Sequence, residues 1–240
     1  MRAAQRIIVA LDAPGSSEEL ALADSLAGSA RWMKVGMTLF YAAGPGVVAE
    51  LRERGFEVFV DLKIHDIPHQ ARGAAASLAQ LGCGLMTVHA AGGGAMVEAA
   101  VLGAAEGAAS AGVPRPRVIA VTVLTSLDDD ALTNTGVADN AGIQAARLAS
   151  LAVRAGADGV VCSPQEAETM RALLGIDALV VTPGVRPAWA GADDQARVAT
   201  PRAALQAGAS HLVIGRPITA AADPADAFAR IVSEIEEDSP

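Results

Sequence analysis

Aromatic residues are scarce: four phenylalanines, two tryptophans and one tyrosine among 240 residues. A core of this chain must therefore be packed from Ala, Val, Leu and Ile. Cysteine is nearly absent. Cys83 and Cys162 cannot form a disulfide framework, and no C-x-x-C pair is present. Two free thiols suit a reducing compartment, so a cytoplasmic location is expected. Positive charge is thin, with 18 Lys and Arg against 27 Asp and Glu and a net charge of −9. No basic block occurs, which argues against a nucleic-acid surface. Long apolar runs are missing too. The N-terminal run, 7–11, has five residues and stops at Asp12, shorter than the apolar core of a signal peptide. Segment 73–97 lacks Asp, Glu, Lys and Arg, but it holds six glycines with Ser77, Gln80, Thr87 and His89. It reads as helix, Gly-Cys-Gly break, buried strand and glycine turn, not as a membrane span.

What is present is a dense apolar pattern. Hydrophobic residues make up 52% and charged residues 19%, which excludes intrinsic disorder. Short apolar runs recur at 7–11, 32–35, 58–62, 85–89, 118–124, 159–162, 179–182 and 211–214. Each has the length of a strand and lacks strict alternation, as expected where both faces are covered. Ala-rich segments with helical spacing separate them, at 71–81, 95–111, 143–155, 164–174, 201–207 and 224–235. Another helix is expected to start at Ser17 with Glu18 and Glu19 in its first turn. Pro164, Pro201 and Pro224 stand where helices begin. Eight strands alternating with about eight helices predict an α/β fold, a (β/α)₈ or TIM barrel. A doubly wound dinucleotide fold would carry G-x-G-x-x-G after the first strand, where this chain has Asp12-Ala13-Pro14-Gly15. No linker divides the sequence, so a single domain over 1–240 is expected, with a short acidic tail at about 236–240.

In such a barrel the reactive groups gather where strands end. The expected strand ends are polar: Asp12, Lys34, Asp61 and Lys63, Thr125 and Ser126, Arg186, and Gly215-Arg216. Asp61 and Lys63 are two apart and face one side of a strand. With Asp66 they place two carboxylates and an ammonium within six residues. That set suits proton delivery to carbon, or a fixed cation beside a developing carbanion. A surface ion-pair cluster is the other reading of D-x-K-x-x-D. Gly215-Arg216 resembles the phosphate site that barrels build after strands 7 and 8, where backbone N–H groups and a guanidinium meet a dianion.

The block Asp61-Leu62-Lys63-Ile64-His65-Asp66-Ile67-Pro68 resembles the signature of the orotidine 5′-phosphate decarboxylase family. Other blocks agree in order: Val9-Ala10-Leu11-Asp12, Met33-Lys34-Val35-Gly36, Leu124-Thr125-Ser126, Pro183-Gly184-Val185-Arg186, Asp194-Gln195 and Gly215-Arg216-Pro217. The resemblance spans about residues 6–225. It implies conversion of orotidine 5′-phosphate to uridine 5′-phosphate in pyrimidine biosynthesis, without cofactor or metal. It implies that Lys63 protonates C6, that Asp61 sits beside the departing carboxylate, and that Lys34 completes the charge array. Asp66 is implied to serve the neighbouring site of a homodimer with composite active sites. Asp12 and Lys34 are implied ribose contacts. Ser126 and the Thr125 backbone read the pyrimidine, and Ile67 and Pro183 border the substrate. Gln195, Gly215 and Arg216 hold the phosphate, under a loop that carries Arg186. No nucleic acid or membrane partner is implied.

One departure stands out. Family members often follow the Ile-Pro pair with Asn or Glu and then Thr, a ribose contact; this chain has His69-Gln70. Two rivals remain at this level. A related sugar-phosphate decarboxylase or epimerase would need an acidic magnesium ligand at the second strand end, where Lys34 stands. A non-catalytic phosphate-binding barrel would have no need of Asp61, Lys63 and Asp66 together. His65, His69, His89 and His211 show no zinc spacing. His211 is expected to start a strand, Cys162 to be a small buried hydrophobe, and Asp128-Asp129-Asp130 to be a loop or helix start.

Overall fold

The inward-facing residues of each strand follow a period of two, and this period builds the molecule. In a computed structural model, residues 2–190 and 199–237 are described. Among them, eight parallel strands close into a barrel in sequence order. They are β1 (Ile7–Leu11), β2 (Trp32–Gly36), β3 (Glu57–Ile64), β4 (Leu85–His89), β5 (Arg117–Val121), β6 (Gly159–Val161), β7 (Leu179–Thr182) and β8 (His211–Ile214). The helices between them are α1 (Ser16–Ser25), α2 (Met37–Ala43), α3 (Gly46–Glu53), α4 (Pro68–Gln80), α5 (Gly94–Ala111) and α6 (Asp129–Asn134). They continue with α7 (Ala141–Arg154), α8 (Ala167–Leu174), α9 (Pro201–Gln206), α10 (Arg216–Thr219) and α11 (Pro224–Glu236).

One set of strand residues points out and packs under the helices. Val9, Met33, Val60, Met86, Val118, Val160, Val180 and Leu212 belong to this outer core. The alternate set fills the barrel, where Ile8, Phe59, Leu85, Ile119, Leu179 and Val181 form a second cluster. Burying both faces explains why the strands read as continuous apolar runs. The inner stripe turns polar toward the strand C-termini, at Lys34, Asp61 and Thr87, all buried.

Helix starts follow the expected chemistry in most places. Thr200 and Asp223 accept hydrogen bonds from Ala203 N and Asp226 N, each with proline at the next position. Asp128 caps α6 by accepting from Ala131 N, so the Asp128–Asp130 run is a helix start. The first helix departs from expectation. It begins at Ser16 behind Gly15, without a side-chain cap, and Glu19 turns inward instead of lying on the exposed first turn. The fifth strand is shorter than its apolar run. Thr122 sends both its N–H and its hydroxyl to the Val161 carbonyl, the last residue of the three-residue β6, and the chain then turns.

Helices α4 and α5 pack backbone to backbone. A Cβ at Gly103 or Gly107 would collide with the carbonyls of Arg72 and Ala76. Both cysteines are free and buried. No helix among the described residues is long and apolar enough to cross a membrane.

Candidate active site

At the C-terminal ends of the strands lies a cavity of about 340 Å³. Its floor is apolar, with Ala10, Phe59, Val121, Val161 and Val213. Its β1–β3 wall is charged. Lys34 Nζ lies 2.6 Å from Asp12 Oδ1 and 3.7 Å from Asp61 Oδ2. Lys63 Nζ lies 2.9 Å from the same Asp61 Oδ2. The four groups therefore alternate in sign along one line, Asp12, Lys34, Asp61, Lys63. The Lys34 side chain is 8% exposed. A buried ammonium is tolerated only when paired, and two carboxylates do this here.

Strand geometry explains the arrangement. Ala10 pairs with Lys34, Lys34 with Phe59, and Gly36 with Asp61 in the β1–β2–β3 register. Lys34 and Asp61 thus point inward on neighbouring strands. Gly36 leaves the space for Lys34 to reach Asp12. A Cβ there would strike the Asp12 carboxylate and lie 3.0 Å from Lys34 Nζ. Gly36 has φ −83° and ψ 174°, a backbone that any residue adopts. Its missing side chain serves the site, not the turn.

The β7–β8 wall supplies guanidinium groups and backbone. Pro183, Gly184 and the 7%-exposed Arg186 follow β7. Arg186 N–H bonds to the Ala199 carbonyl at 3.0 Å, and Val185 bridges to Ala199. These contacts hold the two ends of this loop together. Gly215, Arg216 and Pro217 follow β8 and line the same cavity. An array with anions and ammonium groups on one wall and guanidinium groups on another can hold a molecule carrying two separated anionic groups.

Among the residues expected from sequence, the cavity brings together Asp12, Lys34, Asp61 and Lys63 on one side. On the other it brings Thr125, Pro183, Arg186, Gly215 and Arg216. It does not include Ser126, Asp66 or Ile67. Ser126 is exposed in the loop beyond β5. Asp66 accepts the Ile67 N–H at 2.7 Å and borders a second, more open cavity of about 660 Å³. Gln70 borders it too, as do Phe40, Tyr41, Leu62 and Ile64. Lys63 lines both cavities. Gln195, with Asp194, lies outside the described residues.

Sequence reasoning passed over Thr87 and Glu19 as neighbours of the array. Thr87 is buried on β4, donates to Asp61 Oδ1 at 2.9 Å and accepts the Lys63 N–H at 2.8 Å. Its signal was a lone hydroxyl two residues before His89 on an apolar strand. Glu19 accepts the Ala13 N–H at 2.6 Å, next to Asp12. Burial pushes its carboxyl up, against the Ala13 hydrogen bond. Cys162 lines the cavity, but burial raises its thiol pKa, so it stays protonated at neutral pH and is no nucleophile. His89 stacks on His65 with ring centres 5.0 Å apart. Burial, then the charges of His65 and Lys63, lowers its pKa. His89 does not line the first cavity. No group of three His, Cys, Asp or Glu side chains converges as a metal site among the described residues.

Comparison with known proteins matches this geometry to a family. The family model described as Orotidine 5'-phosphate decarboxylase / HUMPS family matches residues 5–231. The chain belongs to that family. It is 51% identical to an orotidine 5'-phosphate decarboxylase of Moorella thermoacetica over 237 residues, covering 98% of this chain and 94% of the relative. It is 50% identical to the enzyme of that name from Halorhodospira halophila, covering 96% and 95%. Among solved structures, the orotidine 5'-phosphate decarboxylase of Lactobacillus acidophilus superposes with a TM-score of 0.85 at 40% identity, covering 96% of this chain and 99% of that one. An uncharacterized conserved protein of Geobacillus kaustophilus gives 0.84 at 41% identity, covering 95% and 99%. The relatives so named are lyases, and the family's chemistry is enzymatic.

Proposed function

We propose that this chain decarboxylates orotidine 5′-phosphate to uridine 5′-phosphate, with Lys63 as the acid. The observation that carries the reading is the alternating array, which sets the Lys63 ammonium 2.9 Å from Asp61 in a cavity that also holds Arg186 and Arg216. The bond from C6 to the carboxylate breaks and CO₂ leaves. The electron pair stays on C6, where little delocalisation is available. A fixed ammonium lowers the energy of that carbanion and then gives it a proton. Water returns a proton to Lys63, so the reaction consumes one proton in all. Asp61 lies beside the departing carboxylate and orients Lys63. Asp12 and Lys34 hold the ribose hydroxyls, and Thr125 meets the pyrimidine edge, joined by Ser126 once its loop turns in from the exposed position beyond β5. Pro183 borders the substrate from within the cavity, and Ile67, outside it, would do so only as part of a neighbouring chain. Gly215, Arg216, Arg186 and Gln195 hold the phosphate, whose binding energy can be used at the distant reacting carbon.

The reaction needs no cofactor or metal in this reading. Lys34 supports it, because an ammonium occupies the second strand end where a metal would require an anion. Assay of purified protein with orotidine 5′-phosphate in excess EDTA tests this. Loss of orotate absorbance at an undiminished rate is expected. Activity that vanishes on chelation and returns with magnesium contradicts it, and points to the sugar-phosphate branch of the family.

The active unit in this reading is a homodimer. Asp66 lies outside the first cavity, while Lys63 borders both cavities. Tyr41, 73% exposed, borders the second cavity, and Ile67, 64% exposed, follows Asp66 at its edge in sequence; both offer apolar surface suited to burial against another copy. Asp66 of one chain then completes the array of the other. Inactive Lys63→Ala and Asp66→Ala chains should recover activity when mixed, since each heterodimer has one intact site. No recovery despite demonstrated heterodimers would assign Asp66 to its own chain.

A further inference from the structure

Asp61 and Lys63 sit in an irregular stretch of β3. The pairing of β3 with β4 runs through Phe59 and Val60, shifts register, and resumes at Ile64. Residues 61–63 thus stand opposite Thr87 alone, two more than regular pairing allows, and such an interruption redirects side chains. Lys63 has φ +50°, the only non-glycine residue with positive φ among the described residues. This left-handed conformation is unfavourable for a residue with a Cβ and persists only when its surroundings hold it.

Thr87 provides the hold. Its Oγ1 accepts the Lys63 N–H at 2.8 Å and donates to Asp61 Oδ1 at 2.9 Å. A hydroxyl has one proton. The amide can only donate and an ionised carboxylate can only accept, so the proton goes to Asp61 and the direction of both bonds is fixed. Asp61 Oδ1 is engaged by Thr87, so Oδ2 is the oxygen turned to Lys63 Nζ at 2.9 Å and to Lys34 Nζ at 3.7 Å. Thr87 is almost fully buried, so water does not substitute for it.

We propose that Thr87 is a positioning residue: its hydroxyl locks the strained Lys63 backbone and the Asp61 carboxylate into one unit and thereby sets the aim of the Lys63 ammonium. This rests on Lys63 and Asp61 being the reactive groups. A purely packing role for Thr87 predicts that a residue of the same shape replaces it.

Thr87→Val keeps the shape and β-branching and removes both bonds. Thr87→Ser keeps the hydroxyl. Thr87→Val should lower kcat on orotidine 5′-phosphate by about 10- to 200-fold, the loss expected for a hydrogen bond to a charged group. KM should stay within roughly threefold, since the phosphate and ribose contacts are untouched. Thr87→Ser should recover most of the rate. Amide hydrogen exchange, measured without substrate, gives a readout independent of turnover. The Lys63 amide should exchange faster in Thr87→Val than in wild type and stay protected in Thr87→Ser, with the rest of β3 unchanged. An active wild type with equal kcat in Thr87→Val overturns the proposal. So does a loss of rate that serine fails to rescue, or faster exchange throughout β3. If the wild type does not turn over the nucleotide, the functional reading fails. Exchange then decides alone: selective exposure of the Lys63 amide upholds the positioning role, and its absence overturns it.

Discussion

The two walls of the cavity are built differently. The charged wall stands mainly on the strands: Lys34 and Asp61 are inward residues of β2 and β3, tied into the β2–β3 register, while Asp12 follows β1 and Lys63, in the interrupted stretch of β3, is held to β4 by Thr87. The guanidinium wall stands on the segments just beyond the strands, with Arg186 four residues past Thr182 and Arg216 at the start of the four-residue α10. Groups on strands are fixed by the whole ladder, whereas groups on loops are fixed by a few local bonds. Proton delivery to carbon needs atomic placement, and phosphate capture tolerates more adjustment. In the proposed reading, the division gives chemistry to the first wall and grip to the second.

The comparison breaks most severely at Lys63. Lys63→Ala should lower kcat by on the order of 10²–10⁴ or more, because one ammonium supplies both cation and proton. Steady-state assays with circular dichroism to confirm the fold check this; near-normal turnover would put the acid elsewhere. On the opposite wall, Arg216→Ala would remove the proposed charge-assisted bond to the phosphate, worth roughly 1.5–3 kcal/mol. It should reduce kcat/KM for the nucleotide by roughly 10- to 200-fold, seen by progress curves at low substrate.

A smaller effect at Gly36 sharpens the contrast, since the strand wall depends on placement. Gly36→Ala leaves a permitted backbone but crowds Asp12 and Lys34. It should reduce kcat/KM by roughly 10-fold through displacement of the array. The thermal midpoint should hardly move, and a large drop in it would mean that Gly36 serves folding.

The smallest effect on catalysis is expected at the other end of the barrel, where His211 packs edge-on to Trp32 with centroids 5.9 Å apart. Burial, reinforced by Arg6, Arg117 and Arg31, lowers its pKa from 6.5 to about 4. The unfolded chain binds a proton there that the folded chain refuses, so this site's contribution is complete above pH 6.5 and is lost as pH falls toward 4. About 2 kcal/mol should disappear between pH 7.5 and pH 5. Urea titrations of wild type and His211→Leu should show a flatter pH dependence in the variant, with kcat at pH 7.5 unchanged. Identical pH profiles would mean that His211 keeps its ordinary pKa inside the barrel and is charged there at pH 5.

The strand wall was legible because a period of two is a property of the sequence itself. Lys34 and Asp61 follow it, and Asp61 and Lys63, two apart, were expected on one face; the two do meet, but across a register shift with Lys63 at φ +50°, so regular alternation is not what brings them together. The same rule applied to β4 would have singled out Thr87, but a lone threonine carries no charge to draw attention. The left-handed backbone at Lys63 left no sequence signal, since Gly or Asn is the residue expected there. Helices α2 and α3 were not separately readable: Gly44-Pro45 divides them, and α2 has seven residues with Tyr41 exposed. The run 118–124 overstated β5 because apolarity continues into the cavity wall at Val123 and Leu124 after the ladder has ended. Asp66 was legible as a reactive type by its motif. Its position beside the second cavity depends on where Pro68 starts α4, which spacing alone does not give.

The division of labour between the walls is tested most directly by one paired comparison. The kcat/KM of wild type, Lys63→Ala and Arg216→Ala would be measured on orotidine 5′-phosphate and on orotidine, which has no phosphate. Lys63→Ala should lose activity on both substrates in similar proportion, and Arg216→Ala only on the nucleotide. Equal loss by Arg216→Ala on nucleotide and nucleoside would contradict the account, because the guanidinium wall would then serve folding or chemistry and not the phosphate.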